Sequence, residues 1–596
     1  MEERIPPMAR RNTKIEKPKD AKGTLRRLLG YLMGRRAALA VILLLSLAGN
    51  VLSLLGPKLA GTAVGAAAAG KGLVDFSLVY RCAWGMLACY LSSSAVTFVV
   101  NFGMMRTGRL IAEKLRGDVF HKLLELPVSF FDQNQAGDII SRVSYDVDVV
   151  STCISTDLTQ IMTSIVSVAG SFLMMAVISP ALTCVTLVTI PMAVLYTRRM
   201  NRITNPLFSR RSSAYGAMNG FAEEKFSGLS TIQSYAREDQ TAERFRRFNE
   251  DAASAYCEAT RTAKRMGPSV RFINDLGLAL IGMLGSVLYM GGHIGLEQIS
   301  SFVLYSRKFS GPINEIANVT GEIYSALAAA ERVFRLLDEP GEAADLPDAE
   351  PLEHVRGDIA LERVSFGYAA GKTVLRDVSL HAAPGQLVAI VGPTGAGKTT
   401  VINLLMRFYD FQQGSGLVDG KDMYRLTRGS LRHAYAMVLQ DAWLFQGTVC
   451  ENIAYGCENA SREDVVAAAK AARIHAAVMQ LPQGYDTVLY EDGGNISKGQ
   501  KQLLTIARAM LYDAKMLILD EATSNVDTAT ERQIQAAMRE LMAHKTCIVI
   551  AHRLSTIQNA DHILVIDQGK VAEQGKHREL MERRGAYYRL YAAQFE

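Results

Sequence analysis

The sequence predicts two halves of different class: an α-helical membrane domain of six long helices that extend into the cytoplasm, then an α/β domain. Three observations predict it. Apolar runs of about the ~20 residues a bilayer requires recur six times before residue 324. From residue 357 onward, short β-rich runs alternate with helical segments, the pattern of a largely parallel sheet. Between the halves, Asp338–Glu353 turns to Pro, Gly, Asp and Glu, as a linker does.

Composition agrees with this division. With 49% hydrophobic and 21% charged residues among 596, the chain is apolar for a soluble protein yet too polar to lie wholly in lipid. A net charge of +6 creates no field that points to nucleic acid. The basic excess is local, before Arg36, and reads as a juxtamembrane segment facing the cytoplasm. No secretory signal with a small-residue cleavage site is expected ahead of the first apolar run. Cys82, Cys89, Cys153, Cys184, Cys257, Cys450, Cys457 and Cys547 are scattered without metal spacing, as reduced thiols are.

The six predicted spans are Ala37–Leu55, Leu78–Phe102, Ile154–Ile178, Ala181–Tyr196, Ile273–Met290 and Ile299–Ile323. The short connections Pro57–Phe76, Ser179–Pro180 and Gly291–Gln298 hold few basic residues, whereas Met105–Asp138 and Thr197–Arg271 are rich in Arg and Lys. Cytoplasmic loops carry the basic excess, so both termini and both long connections face the cytoplasm. The long connections keep helical periodicity with mixed charge, so they read as membrane helices continuing into water. They would turn back near Phe130–Gly137 and Gly228–Tyr235, and ~25 residues of such a helix project ~38 Å. Asp275 and Arg307 fall at similar depth in the last two spans, with Lys308 beside them, so they are expected to form an ion pair, with cavity walls for a charged amphiphile or side chains snorkelling to the interface as the alternatives. The expected domains are a basic cytoplasmic tail (1–24), the membrane domain (25–338), the linker (339–356) and the α/β domain (357–596).

Gly392-Pro393-Thr394-Gly395-Ala396-Gly397-Lys398-Thr399, followed by Thr400, fits G-x-x-x-x-G-K-[ST] without mismatch. The apolar run Leu387–Val391 before it reads as a buried strand, and Thr400–Arg407 after it as a helix. Glycines let backbone N–H groups turn toward phosphates, and the helix start adds its positive end. The second half is therefore expected to be a P-loop NTPase α/β domain. Lys398 would reach the β- and γ-phosphates, and the Thr399 hydroxyl would ligate Mg²⁺. The run Met516–Leu519 ends in Asp520 and Glu521, at the sheet edge where open α/β folds bind ligands. Asp520 would hold Mg²⁺ through water and Glu521 would polarise the attacking water as general base.

Val438-Leu439-Gln440, Asn495–Gln500, Asp520-Glu521, Ser524–Asp527 and His552 follow the P-loop in that order. The second half thus resembles the nucleotide-binding domain of an ATP-binding cassette (ABC) transporter. With six spans fused ahead of it, nearly the whole chain resembles a half-transporter of the multidrug and lipid exporter group. That resemblance implies ATP and Mg²⁺ as cofactors, Tyr368 stacked on adenine and Gln440 near Mg²⁺ and the attacking water. It places His552 on the γ-phosphate and has Asp527 couple one active site to the other. Ser497, Gly499 and Gln500 belong to the signature, which opens a helix expected over Gln500–Leu511 and closes on ATP held by a second subunit. Here the signature reads Ile496-Ser497-Lys498-Gly499-Gln500, and Lys498 departs from the family's L-S-G-G-Q.

An altered signature beside a complete Asp520-Glu521 pair is similar to the catalytically complete subunit of heterodimeric multidrug exporters. The expected partners are a second half-transporter (a heterodimer favoured over a homodimer), membrane lipid and a small amphiphilic substrate, with no nucleic acid. The implied activity is ATP-driven outward movement of amphiphilic compounds, drugs or lipids, across the cytoplasmic membrane. A dedicated lipid or peptide exporter or flippase, or an ATP-gated channel, is the alternative.

Overall fold

The computed structural model describes residues 18–68, 74–369, 371–440, 442–490, 493–520, 527–551 and 554–595. The chain divides into two units, Met1–Leu126 with Asn134–Pro340, and Pro127–Gln133 with Gly341–Glu596.

Long helices dominate the first unit because in lipid the backbone finds its partners only within a helix, so the apolar runs stay helical even across Pro57, Pro191 and Pro312. Arg36–Ala67, Phe76–Glu125, Ala136–Ile178, Pro180–Ser227 and Glu238–Met290 are long and apolar enough to cross a membrane. A further long helix, Leu296–Asp338, packs against Arg36–Ala67 and Leu158–Ile178, with Arg307 and Lys308 interrupting its apolar stretch. The helices outrun a bilayer: Phe76–Glu125 has 50 residues, Pro180–Ser227 has 48 and Glu238–Met290 has 53. Their surplus makes up the two basic connections, which are helix rather than loop. The reversals come at the short helices Val128–Gln133 and Leu229–Ser234, where the periodicity predicts them.

Two expectations for this unit are corrected. Pro57 does not open an outer loop; it lies inside a helix that runs on to Ala67. Proline has no N–H to give the carbonyl four residues back, so the Ser53 oxygen is left without its helical donor. Lys308 Nζ donates to that oxygen at 2.6 Å, and the Tyr305 hydroxyl donates to the Leu54 carbonyl at 2.6 Å. Neighbouring helices re-satisfy the backbone in this way, which lets a membrane helix keep its proline. Close approach helps: a Cβ on Gly61 would sit 1.9 Å from Ser301 Oγ of the facing helix. Second, Asp275 and Arg307 are both exposed, and no ion pair joins them among the described residues. Equal depth on two helices does not turn the two side chains toward each other. Among the ion pairs of this unit, Arg332 joins buried Asp146, whose carboxylate accepts from Nε at 2.9 Å and Nη2 at 2.6 Å.

In the second unit, six strands form one sheet in the order Lys570–Gly575, His562–Asp567, Leu387–Val391, Thr546–Ile550, Met516–Asp520 and Tyr435–Val438. Every pairing is parallel except that of the Lys570–Gly575 edge. The inner strands are covered on both faces, which is why they read as unbroken apolar runs. A second, antiparallel sheet of Leu375–Ala382, Ile359–Phe366, Gln413–Val418 and Lys421–Asp422 is less legible. Its strand Leu375–Ala382 buries Leu375, Val378, Leu380 and Ala382 and exposes Arg376, Asp377 and His381 between them, so no apolar run marks it.

Candidate nucleotide site

Parallel register gathers the chemistry at one edge. Ile390 pairs with Ile550, Ile550 with Asp520, and Leu519 with Val438. The strands leading into the P-loop, Asp520, Glu521, Gln440 and His552 therefore all end on the same side of the sheet. That is the carboxyl edge, where open α/β sheets bind their ligands. Glu521 and His552 themselves, with Ser524, Asn525 and Val526, lie outside the described residues.

The P-loop backbone needs its glycines. Gly392, Gly395 and Gly397 have φ of 156°, 82° and 104°, a region L-residues rarely adopt. A Cβ on Gly392 would meet the Ile566 carbonyl at 2.1 Å, and one on Gly397 would meet Leu375 Cδ2 at 2.6 Å. The loop feeds directly into the helix Lys398–Leu405, which starts two residues earlier than the sequence pattern suggests. Pro393, Thr394 and Gly395 are exposed at the tip, while Ala396 turns inward and anchors the loop in the core.

Lys398 is buried, and its Nζ donates to the carbonyl oxygens of Gly392 at 2.7 Å and Pro393 at 3.0 Å. Burial lowers its pKa, and the nearby Asp520 carboxylate opposes that by favouring the charged form. The ammonium is thus held inside its own loop with an acid close by. Thr399 is exposed beside it, at the helix start. Buried Thr400 accepts from the Tyr368 hydroxyl at 3.1 Å, and Asn403 Nδ2 donates to the same hydroxyl at 3.2 Å. These bonds tether Tyr368 to the P-loop helix while its ring stays 44% exposed. The ring stands edge-on to Tyr409, with centroids 4.9 Å apart at 89°. Gln440 is exposed just past its strand.

The signature segment is built as a helix cap. Ser497 Oγ accepts from the Gln500 N–H at 3.2 Å, and Gln500 Oε1 accepts from the Ser497 N–H at 2.9 Å. The helix spans Lys498–Tyr512, so it includes Lys498 and Gly499 as well as the expected residues. Lys498 is exposed and Gly499 buried. Among the described residues, no hydrogen bond joins Ser497, Gly499 or Gln500 to the P-loop. Asp527 caps the helix Thr528–Met542 by accepting from the Thr530 N–H at 2.9 Å, and that bond lowers its pKa.

Sequence reasoning misses Asn403, Tyr409 and Asp132. The Tyr409 hydroxyl donates to Asp132 Oδ2 at 2.5 Å, within the second unit, across 277 positions. No local signal announces such a pair.

The comparisons agree with this geometry. Residues 39–313 match the family described as ABC transporter transmembrane region, and residues 375–524 the one described as ABC transporter. The uncharacterized ABC transporter ATP-binding protein YfiC of Bacillus subtilis is 41% identical over 98% of this chain and 96% of its own. A fatty acid ABC transporter ATP-binding/permease protein of Mycobacterium tuberculosis is 43% identical over 88% of this chain and 83% of its own. An ATP-dependent lipid A-core flippase of Nitrosococcus oceani is 35% identical, over 90% and 91%. The solved structure of a bacterial Atm1-family ABC exporter with ATP bound aligns at a TM-score of 0.75 and 30% identity, covering 97% of this chain and 99% of that one.

Proposed function

Because this chain belongs to the ABC transporter family, with an exporter's membrane and ATP-binding regions fused, we propose that it moves amphiphilic lipids or lipid-like drugs outward across the cytoplasmic membrane. It is a multi-pass membrane protein with its ATP-binding domain on the cytoplasmic side, and an ATPase coupled to transport. The observation that carries the reading is the shared sheet edge, where buried Lys398, Asp520 and the tethered Tyr368 converge on one loop. The names of the fatty acid transporter and the lipid A-core flippases support a lipid-like cargo.

The residues have the following roles in this reading. Tyr368 stacks on adenine, the backbone from Gly392 to Thr400 wraps the phosphates, and Lys398 neutralises the β- and γ-oxygens. Exposed Thr399 and the Asp520 carboxylate are oxygen donors of the kind Mg²⁺ accepts alongside nucleotide phosphates and water. No group of three His, Cys, Asp or Glu gathers among the described residues, so the donor set suits a cation held largely by the nucleotide. Bound there, Mg²⁺ would offset charge on the transferred phosphoryl group. Glu521 takes the proton of the attacking water, Gln440 orients that water, and His552 donates to the γ-phosphate. ABC exporters function as dimers. Ser497, Gly499 and Gln500 of the second subunit close over ATP, and Asp527 links the two sites.

ATP drives alternating access to the extent that it binds the closed arrangement more tightly than the open one. The Val128–Gln133 helix carries that closure toward the membrane, and the Tyr409–Asp132 bond supports this role. Losing one such bond weakens coupling by about 1 kcal/mol, roughly fivefold. Tyr409→Phe should therefore keep ATP binding and lose most of the ATPase response to cargo, read as stimulated over basal phosphate release in nanodiscs.

Lys498 beside a complete Asp520-Glu521 pair favours a different half-transporter as partner over a second copy. Purification of the chain expressed alone tests this: strong cargo-stimulated ATPase from a homodimer removes the reason for a partner. ATP-dependent accumulation of a fluorescent lipid against its gradient in inside-out vesicles tests the pump itself, because a channel only dissipates gradients.

A further inference from the structure

Lys308 lies roughly 18 Å along its helix from Leu296 at 1.5 Å per residue, near the middle of a ~30 Å hydrocarbon layer. A cation at that depth is expensive and marks function unless something pairs with it. Among the described residues no carboxylate pairs with Lys308 or with neighbouring Arg307. The five acids on the same helix face other groups: Glu297 accepts from Thr62, Glu315 from Gln160, Glu331 from the Lys19 N–H and Asp338 from Arg27, while Glu322 lies against Asp157. Lys308 instead donates to neutral acceptors, the Ser53 carbonyl freed by Pro57 and the Ser53 hydroxyl. Its ammonium also lies 5.8 Å from the centroid of the Tyr90 ring, which is 41% exposed.

Serving a proline kink does not require a charge. A neutral hydroxyl reaches the same stretch of backbone: Tyr305 donates to the Leu54 carbonyl one residue along. The charge of Lys308 is surplus to the kink, and an anion adds a Coulomb attraction to the ammonium that a neutral carbonyl or hydroxyl cannot supply. Exposed Arg307 adds a second cation at the same depth. We propose that Lys308 is the headgroup anchor for a single-chain anionic amphiphile, a carboxylate or a phosphate, and rests on the Ser53 oxygens between cargoes. The proposal deepens the exporter reading above and depends on it.

The test uses the full-length transporter in nanodiscs of neutral phosphatidylcholine. ATPase stimulation is titrated with an alkyl carboxylate, an alkyl phosphate, an alcohol and a quaternary ammonium of one chain length. The anions should act at concentrations about tenfold or more below the alcohol, and the more potent of the two identifies the headgroup. Lys308→Met should erase that ratio. Pro57→Ala returns an amide to the Ser53 carbonyl, so the double variant Pro57→Ala/Lys308→Met separates the kink from the charge. Loss of the anion preference in the double variant supports the anchor, and its survival there overturns it. A wild type that prefers the alcohol or the quaternary ammonium, while still pumping it, also overturns the anchor but leaves the exporter standing. If no amphiphile moves in response to ATP, the exporter reading falls and takes the anchor with it.

Discussion

Replacing Glu521 with Gln is expected to leave ATP binding intact while slowing hydrolysis about 100-fold or more, the usual contribution of a positioned general base. The amide matches the carboxylate in size and still accepts a hydrogen bond, so the nucleotide cradle is undisturbed. It cannot take a proton from water at neutral pH. The strand Met516–Asp520 delivers this position to the same edge as the P-loop, one residue past an acid that already influences Lys398. Fluorescent-nucleotide titration and phosphate release, measured on one preparation, separate binding from turnover. Wild-type hydrolysis by Glu521→Gln would remove Glu521 from the proposed base role.

Lys398→Ala should weaken binding and turnover together. The ammonium is already aimed into the loop by the Gly392 and Pro393 carbonyls, so little reorganisation is needed to meet a phosphate. A charged hydrogen bond of this kind contributes about 1.5–3 kcal/mol, or roughly 10- to 150-fold in Kd. The truncation also leaves two loop carbonyls facing solvent alone. Equilibrium nucleotide binding with and without Mg²⁺ reads the first effect, and single-turnover hydrolysis the second. An unchanged Kd would mean that the backbone cradle, rather than the side chain, holds the phosphates.

Much of this architecture was legible because each cue answers to one physical requirement. Gly392, Gly395 and Gly397 sit at backbone angles that favour glycine, so the motif and the geometry carry the same information. The strand Leu387–Val391 is buried on both faces and appears as an apolar run with the boundaries the structure shows. The basic connections kept a helical period, and helix is what they form. What stayed hidden depends on which way a side chain points or on contacts distant in sequence. Pro57 looked like a loop residue because the donors that rescue its kink, Tyr305 and Lys308, come from another helix. Asp275 and Arg307 share a depth but not a facing direction. Asp132 and Tyr409 meet only because the chain returns to the same place after two long helical excursions.

Residues 127–133 are translated long before the rest of the unit they join. During synthesis this stretch must wait, unmatched, until the far end of the polypeptide emerges. A fragment cut at the linker would lack it from birth and leave Tyr409 without its carboxylate acceptor. Soluble pieces of this ATPase should therefore be stickier and less faithful in their kinetics than the intact chain, and the remedy is to supply the missing stretch as a peptide.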